Sequence, residues 1–167
     1  QQVRRSQQIV IQEVKTLREP VRLAEGVQGG ALDQLALDRA WQALARFGKK
    51  LRGFEAGRVR AVATSAVREA ENAQLFLASA ERHLGFRIDV ISGHEEARLV
   101  YAGVAHTNPD PERMRLVVDI GGGSTELILG KGAQPLVTES IAIGSGTLGA
   151  RYFAGGDYLV PIAHAEA

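Results

Sequence analysis

The stretch Leu116 to Gly130, LVVDIGGGSTELILG, decides how the chain is read. Apolar, β-branched runs stand on both sides of three consecutive glycines, so both flanks read as strands. Gly121, Gly122 and Gly123 mark a tight turn that glycine makes at least cost. The result is a strand, loop, strand hairpin with a bare backbone between Asp119 and Glu126. Successive N–H groups with no side chains over them form the geometry of an anion-binding nest, to which Ser124 and Thr125 add hydroxyl donors; this suits a phosphate. The loop is not a P-loop, because the Lys of G-x-x-x-x-G-K-[ST] is absent, nor the G-x-G-x-x-G fingerprint, because a strand rather than a helix follows. Asp119 at the strand end could hold a metal ion directly or through water, and Glu126 could orient a water or bind that metal. The alternative is a plain glycine-rich hairpin turn.

Downstream, Pro135 to Ile143 extends the hairpin to a meander, and GSGTLGARYF reads as a turn into a helix. Upstream, Thr107 to Arg115 holds two prolines among polar residues and is the expected boundary between a first unit, 1–111, and a second, 112–167. Before it, strand and helix patterns alternate. Leu37, Ala40, Trp41, Leu44, Phe47 and Leu51 recur at three and four after Asp33, a helix with Asp33 as N-cap and Trp41 in the core. RVRAVATSA reads as a strand, Asn72 to Leu84 as a helix stopped by Gly85, FRIDVI as a strand and GHEEARLVYAGVAH as a helix. Gln8 to Glu13 suggests a short strand, Lys15 to Gly30 an irregular stretch. The order predicts an α/β fold with a largely parallel sheet.

Composition narrows the classes. Twenty basic and 19 acidic residues leave a net charge of +1, so no global charge argues for nucleic acid or an anionic membrane, and anion recognition must be local. With no cysteine there are no disulfides, thiolate metal sites or cysteine nucleophiles, which fits a reducing compartment, the cytoplasm. No apolar run approaches the roughly 20 residues of a membrane span, and QQVRRSQQ lacks the apolar core of a signal peptide.

Two more junctions carry candidate chemistry. SGHEEAR, Ser92 to Arg98, sets Glu95 and Glu96 at a helix start, where the dipole favours negative charge; one of the two could also face a cleft as a general base. ATSAVRE, Ala63 to Glu69, could present Thr64, Ser65 and Arg68 to an anion, although an Arg after a strand is more often a surface residue. His83, His94 and His106 lack metal-ligand spacing and read as solvated or structural. A serine hydrolase is disfavoured, since G-x-S-x-G is absent.

Taken in order, VRAVATSAVREAEN, VISGHEEARLVYAGVAHT and LVVDIGGGSTELILG resemble the exopolyphosphatase and guanosine pentaphosphate phosphohydrolase family, a branch of the superfamily of actin, Hsp70 and the sugar kinases. REPVRLAEG and ESIAIGSGTLGARYF fit as well, so the likeness runs from about Arg18 to Phe153. The resemblance implies ribonuclease-H-like lobes facing a cleft, Mg²⁺, and release of the terminal phosphate of inorganic polyphosphate or guanosine pentaphosphate by metal-assisted water attack. Carried onto this chain, it makes Asp119 to Glu126 the second phosphate loop, with Gly121, Gly122, Gly123, Ser124 and Thr125 on phosphate and Asp119 and Glu126 near metal and water. Glu96 matches the catalytic base, with Glu95 its less favoured neighbour, and Arg68 matches a phosphate-contacting arginine. Homodimers are common in the family.

The family's first hairpin, of the form D-[LI]-G-S-N-[ST], has no counterpart here, and IGSGTLGARYF departs from the usual MGCVSL type of segment. Both lobes are therefore expected to be incomplete, and the chain a fragment. The competing readings are a non-catalytic module that binds polyphosphate or a guanosine alarmone, and an ATP-using kinase of the same superfamily.

Overall fold

The computed structural model describes residues 15–153. The strand expected at Gln8 to Glu13 and the tail beyond Phe153 lie outside them. Within them, helices and strands arrange around two apolar cores.

The first core is built on α1 (Gln34–Lys50) and α3 (Ala73–Leu84), which pack along one another. Leu37, Ala40, Phe76, Ala80 and Leu84 are buried between them, with Val67 and Ile88. The α1 start is fixed as expected: the Asp33 carboxylate accepts a hydrogen bond from the Ala36 N–H at 2.6 Å, satisfying one of the free donors of the first turn. Gly85 ends α3 in the left-handed conformation, φ 82°. Trp41 is only partly buried; it packs on the core, donates from Nε1 to the Phe76 carbonyl and stacks on His83. Beside these helices, β3 (Ala61–Ala63) and β4 (Ile88–Val90) pair in parallel. This is the one parallel pair among the described residues, so the expected largely parallel sheet is not what the chain forms there.

A small hairpin precedes α1, formed by β1 (Val27–Gln28) and β2 (Ala31–Leu32) around Gly29 and Gly30, both at positive φ. Such a pair of left-handed residues matches the twist of the two strands and favours glycine. Asn72 completes this corner: its side-chain amide donates to the Leu32 carbonyl and accepts from the Leu32 N–H.

The second core lies between α4 (Gly93–Thr107) and the antiparallel meander β5 (Met114–Ile120), β6 (Thr125–Lys131), β7 (Gln134–Ile141). Ala97, Tyr101, Ala105 and Ile128 are buried there, with Val100 and Val117 packed against them. The Tyr101 ring lies against Gly130, where a Cβ would come within 2.2 Å of it, and its hydroxyl donates to the Gly132 carbonyl. These contacts fix α4 along the sheet. The expected boundary near residue 111 falls in the loop between α4 and β5. Past β7, α5 (Ser145–Phe153) begins directly beside the glycine loop. No helix is long and apolar enough to cross a membrane among the described residues.

Candidate active site

The glycines of the loop are explained by close approach rather than by turn geometry. None of Gly121, Gly122 and Gly123 has positive φ, which corrects the expectation of a turn only glycine makes cheaply. A Cβ on Gly123 would instead stand 2.6 Å from the Ser65 hydroxyl, so the loop is pressed against the start of α2 (Ser65–Arg68). On its other side the loop meets α5. The Gly121 carbonyl accepts from the Ser145 N–H, and the Gly122 carbonyl from the N–H groups of Gly146 and Thr147. Two things follow. The first N–H groups of α5 are satisfied by the loop. Because a trans peptide sets its C=O and N–H on opposite sides, fixing those two carbonyls toward α5 turns the N–H groups of Gly122 and Gly123 away from it. Neither N–H, nor that of Ser124, has a backbone acceptor among the described residues.

Register across the meander supplies the acidic part. Asp119 pairs with Glu126, and Glu126 with Ser140, so the three form one row across β5, β6 and β7. Directly opposed residues share a face. That face is the one covered by α4, since Ile128 two residues on is buried beneath it. Glu126 is 0% exposed. Its Oε1 accepts from the Ser140 hydroxyl at 2.8 Å, while its Oε2 is buried with no hydrogen-bond partner.

From the other side, α4 and α2 deliver Glu96 and Arg68. Ser92 caps α4, accepting from the Glu95 N–H. One residue further on, Glu96 turns inward with its side chain 16% exposed. Arg68 donates to the Ile91 carbonyl at 2.9 Å and to Glu96 at 3.4 Å. Burial raises the Glu96 pKa above the ordinary carboxylate value, and the negative charge of Glu126 adds to the rise, against the opposing pull of Arg68 and the Thr64 hydroxyl. Glu95 goes the other way. It is paired bidentately with Arg98 at 2.7 Å on the exposed side, and that hydrogen bonding lowers its pKa. Of the two adjacent glutamates, Glu96 is the one that feels the charge of the buried carboxylate.

Arg68, Glu96, Glu126, Asp119, Ser124 and the glycine loop thus gather around one locus. Thr125 does not join them through its side chain: it alternates to the face opposite Glu126, and its hydroxyl donates to the Ile143 carbonyl at 2.6 Å. Two residues that the sequence did not single out belong to the locus. Ser140 could have been found from the alternation of β6 and β7 only with their register in hand. Gly93 faces Ser140, where a Cβ would fall 2.2 Å from its hydroxyl oxygen.

The donor set fits one kind of metal. Mg²⁺ is commonly held by one or two carboxylates together with phosphate oxygens and water. Glu126 Oε2 is a buried acceptor in want of a partner, and Asp119 stands beside it on the same face. No group of three or more His, Asp or Glu that could hold a metal ion by protein ligands alone occurs among the described residues.

An α/β frame that brings a bare glycine loop, an arginine and two half-buried to buried carboxylates to one place defines a class of anion-handling site. The comparisons with known proteins give that class a family. The profile of the Ppx/GppA phosphatase family matches residues 2–165, and the chain belongs to that family. It is 44% identical over 144 residues to the guanosine-5'-triphosphate,3'-diphosphate pyrophosphatase of Photobacterium profundum, a match that covers 86% of this chain and 29% of the relative. Among solved structures it is similar to the Aquifex aeolicus PPX-GPPA enzyme, with 38% identity and a TM-score of 0.60 over 74% of this chain and 41% of that one. It is also similar to an exopolyphosphatase from Cytophaga hutchinsonii, with 30% identity and a TM-score of 0.67 over 82% and 49%. The chain therefore spans less than half the length of these relatives.

Proposed function

We propose that this chain carries the Glu96 and Glu126 half of a phosphoanhydride hydrolase site that releases terminal phosphate from inorganic polyphosphate or guanosine pentaphosphate. The observation that carries the reading is the facing pair of carboxylates, one fully buried and one with a raised pKa, beside a loop with outward N–H groups.

Each part has a task. The N–H groups of Gly122, Gly123 and Ser124 hold phosphoryl oxygens, and Arg68 adds a cation held in place by the Ile91 carbonyl. Glu96 accepts the proton of the attacking water at its carboxylate. A raised pKa makes it a stronger base than an ordinary carboxylate. Glu126 and Asp119 would hold Mg²⁺, which when bound neutralises charge on the phosphates. Family membership and the two named relatives, a pyrophosphatase and an exopolyphosphatase, support the reaction class.

The test is phosphate release by this chain from long-chain polyphosphate and from guanosine pentaphosphate, with Mg²⁺ and with EDTA, beside Glu96→Gln. Metal-dependent release that Glu96→Gln abolishes while binding is retained is the expected result. Tight binding without release in the unsubstituted chain would instead identify a non-catalytic recognition module.

A further inference from the structure

Building on the hydrolase reading, we infer that Ser140 is a positioning residue: its hydroxyl fixes the orientation of the Glu126 carboxylate so that Oε2, and not Oε1, is presented to the reacting centre. Glu126 is completely buried, and a buried carboxylate with two equivalent oxygens has no reason of its own to prefer one over the other. Ser140 supplies that reason. It sits directly across the ladder from Glu126, and its single O–H donor is spent on Oε1 at 2.8 Å. Oε2 is left as the buried oxygen without a partner, the one free to act on a ligand.

The serine is itself held. The N-terminal turn of α4 lies so close that a Cβ on Gly93 would stand 2.2 Å from the Ser140 Oγ and 2.4 Å from its Cβ. Glu96 is three residues beyond Gly93 on the same helix. Ser140 is therefore the contact through which the helix that carries one carboxylate fixes the orientation of the other. The absence of a side chain at Gly93 leaves space for the Ser140 hydroxyl, and Glu126 gains a donor to one oxygen.

A residue that orients a reacting group without touching substrate should act on kcat rather than on KM. Ser140→Thr and Ser140→Val test this cleanly, because they have nearly the same shape and differ in the hydroxyl. Phosphate release from polyphosphate with Mg²⁺ is measured for both, beside the unsubstituted chain and Ser140→Ala, and crystal structures of the unsubstituted chain and Ser140→Ala are compared. The expected result is a kcat about 10-fold higher for Thr than for Val, the scale of one hydrogen bond to a charged group, with KM alike to within about threefold. In Ser140→Ala the Glu126 carboxylate is expected to be turned. Equal kcat for Thr and Val, or an unmoved carboxylate in Ser140→Ala, would overturn the inference. If the unsubstituted chain releases no phosphate, the hydrolase reading is the one that fails, and the two crystal structures alone decide whether Ser140 orients Glu126.

Discussion

Adding one methyl group to the loop, Gly123→Ala, tests whether its position against α2 is what the glycine is for. The new Cβ would stand 2.6 Å from the Ser65 Oγ, 3.5 Å from the Ser65 Cβ and 4.0 Å from the Ala66 N. Only the first of these is shorter than an ordinary contact. Gly123 has no positive φ, so alanine brings no backbone strain, and the whole cost is the overlap with one oxygen. Ser65 is 5% exposed and has little room to give way. Overpacking of this kind costs about 1–3 kcal/mol. At about 2–4 °C per kcal/mol for a chain of this size, the melting temperature should fall by about 2–12 °C. Because the loop must move to relieve the overlap, phosphate release should fall by about 10- to 100-fold in kcat/KM. Removing the oxygen should cancel the effect. In Gly123→Ala/Ser65→Ala the closest remaining contact is the ordinary one at 3.5 Å, so the double variant should be within about 1 kcal/mol of Ser65→Ala alone. Gly57→Ala, where an added Cβ meets nothing within 4 Å, is the control and should stay within about 0.5 kcal/mol of the unsubstituted chain. Thermal and urea unfolding of the four variants read the coupling. Additive losses in the double variant would refute the reasoning.

Three further outcomes follow from the same geometry. The folded-state pKa of Glu96 is raised, so its ionisation costs stability as pH rises from the ordinary value of 4.5 through the raised one. Glu96→Gln should therefore raise the melting temperature more at pH 7 than at pH 4, and an equal gain at both would contradict this. Tyr101→Phe removes a hydrogen bond to the Gly132 carbonyl, which keeps a second donor in Arg115 at 2.8 Å. The loss should be about 1 kcal/mol in denaturant unfolding, whereas Tyr101→Phe/Arg115→Ala, which takes away both donors, should cost more than the two single changes together. Asp33→Ala should cost about 1 kcal/mol through the lost cap of α1 and leave kcat unchanged, because the hydrogen bonds of Asp33 among the described residues go to Gly26, Ala36 and Leu37 and to no site residue; a fall in kcat beyond about twofold would show otherwise.

Helical periodicity was legible because a helix announces its buried face locally. The spacing after Asp33 gives α1 and its cap, and Gly85 gives the end of α3. The consecutive strands after residue 113 were legible from their apolar runs. Contacts between distant segments were not. The parallel expectation rested on alternating elements, but only Ala61–Ala63 and Ile88–Val90 pair that way. The hairpin at Gly29 and Gly30 had only the adjacent glycines as a signal, because its strands, Val27–Gln28 and Ala31–Leu32, are too short to show an alternation. Thr125 and Glu126 were grouped because they are neighbours in sequence, although alternation along a strand sends neighbours to opposite faces. Ser140 needed the register of β7 on β6, which a bulge between Leu129 and Gly130 shifts by a step that no local pattern reports.

The contact between loop and α5 has a consequence for how this site is free to change over generations. At position 123 a larger residue meets a side chain, so an altered partner at 65 opens a two-step route. At position 144 an added Cβ would lie 2.5 Å from the Gly122 carbonyl carbon and 2.5 Å from the Gly123 N, main chain against main chain. No compensating side-chain exchange exists for such an overlap. Drift can explore the surroundings of Gly123 in pairs of substitutions, while Gly144 is held to a single residue type for as long as the loop keeps its place.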